Sequence, residues 1–217
     1  MKQVKTKDNS ITYFNDKYQE HYHSTSGARE EAIKKFVEPC IPYLNDKDEI
    51  IILDVCFGIG YNSAAAIDLL SGKFNKITIY GLENDEEILN EILEIKPDFK
   101  SYFIIKHFIL NKKNNIQINF NKSEILIKII IGDARETIKQ IKDIDVVLFD
   151  PFSPKKCPEL WTKEFLYNVK NSMRKNSVLT TYSCAKTIRD IMRELGFKVL
   201  NGPRIGRKAP STIAINI

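Results

Sequence analysis

Apolar runs alternate with amphipathic segments along much of the chain, and four of the runs end at an acidic residue. They read EIIILD, KITIYGLE, EILIKIIIGD and IDVVLFD, and they end at Asp54, Glu83, Asp133 and Asp150. Continuous apolar runs bounded by turn residues are typical of parallel strands covered on both faces. Ligands of open α/β sheets bind outside the carboxyl ends of such strands, so the four acids are candidate binding residues.

The rest of the pattern completes an α/β plan. Helices are predicted in the amphipathic segments at 28–38, 61–71, 84–95, 97–110 and 184–195, the first of them ended or kinked by Pro39 and Pro42. Further strands are predicted at 176–183 and in an antiparallel pair at 197–201 and 211–217, and a short β-run before the polar turn 121–123 is assigned to an insertion. This order predicts a mostly parallel seven-stranded sheet of the Rossmann-like type.

The length of 217 residues fits one such domain. Residues 1–45 are interpreted as an N-terminal extension and helix, in which 1–26 form a short hairpin or a flap over the site. Residues 97–128 are interpreted as a lysine-rich insertion, because they exceed the minimal α/β plan. The sequence therefore predicts one domain, 1–217, with two additions.

Composition narrows the class of protein. Hydrophobic residues make up 43% and charged residues 28%, as in ordinary globular proteins. No apolar stretch approaches the roughly 20 residues that span a bilayer, and the first residues, MKQVKTKDNS, lack the apolar core of a signal peptide. We therefore expect a cytoplasmic protein without a membrane partner.

The cysteines and histidines give no metal-binding pattern. Four cysteines occur without a C-x-x-C pair, and His21 and His23 form an isolated H-x-H. Structural zinc sites place their ligands at short, regular spacings, which are missing here. We expect buried thiols and no metal.

The net charge of +5 is concentrated in two places. Residues 96–128 contain seven lysines and two acids, and the C-terminal segment carries Arg204, Arg207 and Lys208. Basic clusters of this kind fit a phosphate-bearing partner such as a nucleic acid. A solvated lysine-rich face explains the charge about equally well.

The glycine turn after the first apolar run is a candidate ligand-binding site. Gly58 and Gly60 allow close approach of a ligand to the backbone, and the helix that follows offers free N–H groups. A carboxylate such as Glu83, at the end of the next strand, can accept the hydroxyls of a ribose. Ser63 occupies the place of the third glycine in the G-x-G-x-x-G motif of nicotinamide enzymes. The constellation favours an enzyme that uses S-adenosyl-L-methionine to transfer methyl groups.

A family resemblance rests mainly on residues 150–161, DPFSPKKCPELW. This stretch resembles the D-G-F-x-P-x-x-x-P-x-x-W motif of the methyltransferase domain of MnmC-type tRNA 5-methylaminomethyl-2-thiouridine enzymes. Further matches are Gly58, Gly60 and Asn62, Gly132-Asp133, Gly206-Arg207-Lys208, and Ser26-Gly27 followed by Glu31. The chain departs from the family at Pro151 and Cys56, where glycine is usual.

The resemblance implies methylation of the aminomethyl group on a wobble 5-aminomethyl-(2-thio)uridine of tRNA. Asp150 would accept a hydrogen bond from the amine and draw off its proton, and it is also counted among the cofactor-binding residues. The other residues implied at the cofactor are Asp54, Gly58, Gly60, Asn62, Glu83, Asp133 and Ala134. An alternative role for Asp150 is to cap the next helix.

The residues implied at the tRNA are Phe152, Trp161, Lys155, Lys156, Arg207 and Lys208. Phe152 would wall the pocket beside the reacting nitrogen, and the four basic residues would contact the phosphate backbone. Trp161 would stack on a base, or anchor the following helix in the core.

Three other functions remain open at this point. An aminopropyltransferase also orients an amine with an acid after the fourth strand, although no acidic polyamine pocket is evident in the sequence. Asp150-Pro151-Phe152 also resembles the D-P-P-[YF] motif of enzymes that methylate exocyclic amines of bases. The third function is an RNA-binding subunit with a vestigial cofactor fold. The oligomeric state is not predicted.

Overall fold

The computed structural model describes residues 1–44, 47–111 and 117–217. Its strands are β1 (Lys2–Lys5), β2 (Ile11–Asn15), β3 (Glu20–His21), β4 (Glu49–Val55), β5 (Lys76–Glu83), β6 (Gln117–Phe120), β7 (Ser123–Ile131), β8 (Ile144–Phe149), β9 (Met173–Thr181), β10 (Phe197–Asn201) and β11 (Thr212–Asn216). Its α-helices are α1 (Ala28–Glu31), α2 (Tyr61–Leu70), α3 (Glu86–Glu94), α4 (Tyr102–Asn111), α5 (Ala134–Thr137), α6 (Lys163–Ser172) and α7 (Lys186–Glu194).

The central sheet has eight strands in the order β10-β11-β9-β8-β4-β5-β7-β6. Strands β7, β5, β4, β8 and β9 are parallel, and β11, β10 and β6 are antiparallel to their neighbours. The predicted Rossmann-like α/β class is confirmed, with one strand more than the seven expected. The extra strand is β6, which pairs with β7 at one edge.

Two hydrophobic clusters cover the two faces of this sheet. Ile50 and Ile52 of β4 belong to the cluster with α2, α3 and α4, whereas Leu53 and Val55 belong to the cluster with α6 and α7. Side chains alternate between the faces of a strand, so both faces of β4 must be apolar. This explains why the central strands read as continuous apolar runs.

The N-terminal segment forms a small sheet of its own. Strands β1, β2 and β3 pair antiparallel. Tyr18 in the β2–β3 turn and Tyr22 directly after β3 lie against Phe152, with ring centroids 4.6 and 5.1 Å from that of Phe152. The segment has one strand more than the short hairpin predicted, and it lies against the loop after β8, while its role as a flap stays a prediction.

The next segment is helical over residues 28–43 but changes its hydrogen-bonding pattern twice. Helix α1 continues as a π-helix over Ala32–Val37 and as a 3₁₀-helix over Glu38–Tyr43. Pro39 and Pro42 lie in the last part, where their missing N–H groups and rings oppose a regular α-helix. The predicted effect of the two prolines agrees with this geometry.

The segment predicted as an insertion contains one core strand. Residues 123–131 form β7, which pairs in parallel with β5 over its whole length. The predicted boundary at 128 therefore falls inside a strand of the central sheet, and the additional elements are α4 and β6. Lys112 and Lys113 lie outside the described residues. No helix in the described part of the chain is both long and apolar enough to cross a membrane.

Candidate active site

The glycine turn joins β4 to α2 in a left-handed path. Cys56, Gly58 and Gly60 have φ angles of 65°, 54° and 73°. The two glycines face different surroundings. A Cβ on Gly58 would lie 3.2 Å from Tyr22, whereas a Cβ on Gly60 would lie 2.9 Å from the Phe57 ring. Gly58 therefore borders the site, and Gly60 allows the turn to pack against the core.

The cofactor cavity, as we call it, is formed by the carboxyl ends of β4, β5, β7 and β8 under the N-terminal segment. Its walls include, of the predicted residues, Gly58, Glu83, Asp133, Ala134, Asp150 and Phe152, together with Tyr18, Tyr22, His23, Cys56, Leu82 and Leu160. The structure thus brings the ends of the four predicted strands to one place. Parallel strands end at the same edge of a sheet, which is why acids far apart in sequence meet there.

Glu83 is held by three backbone N–H groups and is 6% exposed. Oε2 accepts from Gly58 N at 2.8 Å, and Oε1 accepts from Asn84 N at 2.8 Å and Asp85 N at 3.0 Å. Burial raises the pKa of this carboxyl, and the backbone donors partly offset the effect. A carboxylate has about four acceptor positions. In this arrangement Glu83 can accept one ribose hydroxyl more readily than the two that the sequence suggested.

Asp133 and Ala134 stand where β7 turns into α5. Asp133 caps α5 by accepting from Arg135 N at 2.9 Å, and its carboxylate also pairs with the Arg135 side chain. These hydrogen bonds from Arg135 lower the pKa of Asp133. Ala134 is 8% exposed and borders the cofactor cavity.

Three residues predicted at the cofactor lie behind the cavity wall. Asp54 is fully buried and accepts from Ser63 Oγ at 2.6 Å, and burial raises its pKa to about 7. Asn62 is 3% exposed and donates to Asp150. Gly60 packs against Phe57. In this structure the three residues support the turn and Asp150, and their direct contact with a cofactor stays a prediction.

Asp150 follows β8 at the point where two cavities meet. Its N–H donates to Val55 O at 3.2 Å, and its Oδ2 accepts from Asn62 Nδ2 at 2.9 Å. Burial raises the pKa of Asp150 well above its ordinary value, and the negative charge of Glu31 raises it further. A carboxylate in these surroundings is a strong proton acceptor. The helix-capping alternative does not apply, because the segment after Asp150 is not a helix.

The second cavity, which we call the acceptor cavity, has a volume of about 310 Å³. Glu20, Glu31 and Asp150 bring negative charge to its walls, and Lys35 and Arg207 bring positive charge. Glu31 and Lys35 form an ion pair of 2.5 Å, in which their side chains are 9% and 5% exposed. Three acidic residues thus line this cavity, although no acidic pocket was evident in the sequence.

The two predicted aromatic residues differ in exposure. Phe152 is partly exposed, borders both cavities and stacks on Tyr18. Trp161 is 3% exposed, and its Nε1 donates to Phe152 O at 2.8 Å. Its ring also packs edge-on against Phe149 and Tyr182. In this structure Trp161 is therefore packed as the predicted anchor in the core would be, and its stacking on a base stays a prediction.

The four basic candidates lie around the mouth of the acceptor cavity or beyond it. Arg207 borders that cavity and donates to the Tyr182 carbonyl. Lys155 and Lys156 are exposed on the loop after Asp150, and Lys208 is exposed next to Arg207. The structure brings none of the three lysines into either cavity wall.

Sequence reasoning missed the part of the site that the N-terminal segment supplies. Glu20 Oε2 accepts from Ser153 N at 3.1 Å and from Ser153 Oγ at 2.7 Å, and Tyr22 OH donates to Asp85 Oδ2 at 2.9 Å. The adjacent Tyr22 and His23 border both cavities. The run of aromatic residues in an otherwise polar N-terminus was the available signal. Its interpretation as a flap did not identify the residues.

The donor set of the cofactor cavity fits S-adenosyl-L-methionine. Gly58 removes a side chain from the wall, Glu83 offers an acceptor for a ribose hydroxyl, and Leu82, Ala134 and Leu160 give apolar surface for a purine ring. Within residues 1–44, 47–111 and 117–217 no group of three or more His, Cys, Asp or Glu residues is placed to hold a metal ion.

Comparisons with known proteins agree with this fit. Residues 98–216 match a family model described as S-adenosyl-L-methionine-dependent methyltransferase. The crystal structure of MNMC2 from Aquifex aeolicus superposes with a TM-score of 0.80 and 32% identity, covering 99% of this chain and 70% of that one.

Two curated relatives are longer than this chain. An uncharacterized protein of Methanocaldococcus jannaschii is 36% identical over 97% of this chain and 58% of its own length. The tRNA 5-methylaminomethyl-2-thiouridine biosynthesis bifunctional protein MnmC of Leptospira interrogans is 27% identical over 92% of this chain and 33% of its own length. The chain thus spans between a third and three fifths of these relatives. The resemblance and the cofactor inferred from the sequence are confirmed: the chain belongs to the S-adenosyl-L-methionine-dependent methyltransferase family that includes the methyltransferase domain of MnmC.

Proposed function

We propose that this enzyme methylates the primary amine of an aminomethyl group on a wobble uridine of tRNA, in the cytoplasm. The observation that carries the proposal is the position of Asp150. It borders the cofactor cavity and the acceptor cavity at once, so its carboxylate lies where a methyl group would pass from one to the other. The name of the Leptospira relative adds the nucleic acid.

The charge of the acceptor cavity favours an alkylamine over a neutral base amine. An alkylamine is mostly protonated near neutral pH, and the three acids of the wall, Glu20, Glu31 and Asp150, outnumber its two bases, so the wall favours the resulting ammonium. An exocyclic amine of a base carries no such charge and gains less from an acidic wall. This difference supports the aminomethyl group as the acceptor.

The reaction requires a neutral nitrogen whose lone pair faces the methyl carbon. S-adenosyl-L-methionine, when bound, supplies that methyl group on a positively charged sulfur. Asp150 takes a proton from the substrate ammonium, which frees the lone pair. Transfer to this lone pair would leave the electron pair of the broken carbon–sulfur bond on sulfur and the positive charge on the methylated ammonium. Asp150 would release to solvent the proton that it took.

The residues that would hold the cofactor are those with groups on the cavity wall. Gly58 would leave room for the methionine part of the cofactor, Glu83 would accept a ribose hydroxyl, and Asp133 and Ala134 would border the adenine. Cys56 also lies on the wall, where the family usually has glycine. Alignment and exclusion of water account for most of the expected rate enhancement.

The RNA backbone would contact the basic residues outside the acceptor cavity. Lys155 and Lys156 are exposed on the loop that begins at Asp150, and Arg207 and Lys208 are exposed on the C-terminal segment. Each contact with a phosphate releases condensed counterions, so binding is expected to weaken steeply with salt.

The test is transfer of a labelled methyl group from S-adenosyl-L-methionine to tRNA that carries 5-aminomethyluridine. Unmodified tRNA and putrescine serve as parallel acceptors. Label in the first tRNA alone supports the proposal. If the cofactor binds but no acceptor is labelled, the family assignment stands and the proposed substrate is wrong.

An aminopropyltransferase is the second candidate, and the acidic wall of the acceptor cavity favours it more than the sequence did. That enzyme class transfers an aminopropyl group from the decarboxylated form of the same cofactor. Formation of spermidine from putrescine with the decarboxylated cofactor would replace the methyl-transfer proposal.

A further inference from the structure

His23 occupies a position that the proposed reaction does not yet use. It borders both cavities, as do Tyr22, Asp150 and Phe152, which places it at their junction. The residue is 6% exposed, its Nδ1 is enclosed by the protein, and neither ring nitrogen has a hydrogen-bond partner among the described residues. Buried polar groups of native proteins are nearly always paired, so a nearly buried imidazole that borders two cavities without a partner points to a ligand at its less enclosed nitrogen, Nε2.

The ring of His23 is held in place by the core. Its backbone N–H donates to Thr12 Oγ1 at 3.0 Å, and its ring centroid lies 5.2 Å from that of Tyr61. Both Thr12 and Tyr61 are fully buried. Because both neighbours are fixed, the imidazole is presented to the cavities by a rigid support and not by a mobile side chain.

A primary amine that attacks a methyl group needs two hydrogen-bond acceptors. Its lone pair must face the methyl carbon, so its two N–H bonds point away from it and are fixed only if each meets an acceptor. Asp150 can supply one, since Asn62 donates to its Oδ2 and no described residue donates to its Oδ1. The Pro151 carbonyl nearby already accepts from Tyr182 OH at 2.9 Å.

We propose that His23 is the second acceptor, and that Asp150 and His23 together hold the two N–H bonds of a primary alkylamine. This inference rests on the proposed amine methylation and adds a substrate-binding residue from the N-terminal segment. It also explains why that segment covers the junction of the cavities. The match to the family model begins at residue 98 and therefore does not cover His23.

The charge state of His23 fits the role. Burial lowers the pKa of His23 to about 4, although the negative charge of Glu31 opposes the effect. The ring is therefore neutral at physiological pH and keeps one nitrogen with a free lone pair. A neutral ring also avoids repulsion of an ammonium group and of the positively charged methyl donor.

The direct test observes the ring nitrogens of His23 by NMR in protein containing ¹⁵N-labelled histidine. The chain has three histidines, so the spectrum is simple, and the variant His23→Asn identifies the signal. The protein is first saturated with S-adenosyl-L-homocysteine and then titrated with n-butylamine, and separately with 5-aminomethyluridine. We expect the His23 signal to shift saturably with the primary amine.

The two amines separate this inference from the proposed substrate. A shift with n-butylamine but not with the nucleoside would support the role of His23 as an acceptor and would contradict aminomethyluridine as the substrate. An unchanged His23 signal with both amines would overturn the role of His23, even if the enzyme methylates tRNA.

Two variants test the role during turnover. His23→Leu removes both ring nitrogens, and we expect about a 10- to 100-fold loss of kcat with unchanged cofactor affinity. His23→Gln returns an acceptor near the position of Nε2, the less enclosed ring nitrogen, and should recover most of the activity. The matched control is His107→Leu, because His107 is exposed on α4 and borders neither cavity. Equal activity of the Leu and Gln variants would contradict an acceptor role.

Discussion

The cofactor cavity and the acceptor cavity meet at Asp150 but are built in different ways. The first collects the ends of four neighbouring strands and the turns that follow them, and only Tyr18, Tyr22 and His23 of its wall come from the N-terminal segment. The second is closed by side chains of residues 20–35 and 205–207. The cofactor cavity therefore follows mainly from the α/β fold, whereas the acceptor cavity depends on segments that are added to this fold.

The two cavities also differ in how their charged groups are held. Glu83 of the cofactor cavity accepts three backbone N–H groups. Glu31 of the acceptor cavity accepts one, from Ser24 at 2.8 Å, and pairs with Lys35. Backbone donors are fixed by the fold, while an ion pair depends on two particular side chains. We therefore expect substitutions in the acceptor cavity to alter substrate choice before they alter the fold.

The largest effect is expected at the residue that the two cavities share. Asp150→Asn keeps the hydrogen bond from Asn62 but removes the proton acceptor, so kcat should fall by about 10²- to 10⁴-fold. Cofactor affinity, measured by calorimetry, should change little. Glu159→Gln is the control, because Glu159 borders the cofactor cavity but has no proposed role. Full turnover by Asp150→Asn would remove Asp150 from the mechanism.

A second prediction concerns stability behind the cofactor cavity. The pKa of Asp54 rises from 3.8 to about 7 on burial. Native protein therefore retains a proton that the unfolded chain loses, and the free energy of unfolding falls as pH increases between about 4 and 7. Asp54→Asn lacks this loss, so its stability relative to the wild type should grow over that range by on the order of 4 kcal/mol at most. Urea unfolding at several pH values measures it.

Asp8 provides a control of opposite sign for that titration. Burial alone would raise the pKa of Asp8, but hydrogen bonds from Ser10 and Thr6 lower it to about 2. Its contribution is present above the unfolded pKa near 3.8 and is lost as pH falls towards 2. Asp8→Asn should therefore destabilise the protein at neutral pH. Parallel pH profiles for the two variants would show that neither carboxyl behaves as inferred.

A third prediction separates the two glycines of the turn. Gly60→Ala places a Cβ 2.9 Å from Phe57 at a φ of 73°, so we expect a loss of about 1–3 kcal/mol of stability. Gly58→Ala also has a left-handed φ but points its Cβ at Tyr22, 3.2 Å away, on the wall of the cavity. It should weaken cofactor binding more than Gly60→Ala does. Thermal unfolding and cofactor titration of both variants measure these effects. If Gly58→Ala loses more stability and Gly60→Ala loses more cofactor affinity, the different roles inferred for the two glycines are wrong.

The smallest effect is expected outside the acceptor cavity. Lys155→Ala with Lys156→Ala should weaken tRNA binding and reduce the slope of log affinity against log salt by about 1 to 2. Lys175→Ala is the control, because Lys175 is exposed near the start of β9, at the opposite end of the parallel strands. An unchanged slope in the double variant would place the RNA elsewhere.

Much of the central sheet could be predicted because its strands are covered on both faces. The runs ending at Asp54, Glu83, Asp133 and Asp150 became β4, β5, β7 and β8 or the turns directly after them. Burial on both sides leaves an apolar run that local sequence displays. The edge strand β6 was seen as a β-run but not counted in the sheet, because pairing at an edge depends on the partner strand.

Individual contacts within the site were harder to predict. Asp54, Gly60 and Asn62 belong to the glycine turn in sequence, yet they lie behind the cavity wall. A motif specifies which residues are near a turn but not which way each side chain points. The same limit applies to Trp161, whose environment depends on Phe149 and Tyr182.

The sequence by itself determined the α/β class, the strand ends that form the cofactor cavity, and the family. These features depend on periodicity and on motifs within short stretches of chain, where local physics is sufficient. Only the tertiary structure brought His23, Glu31 and Arg207 to Asp150. These residues come from opposite ends of the chain, and their meeting depends on how the N-terminal segment and the C-terminal strands pack on the sheet, which no local pattern records.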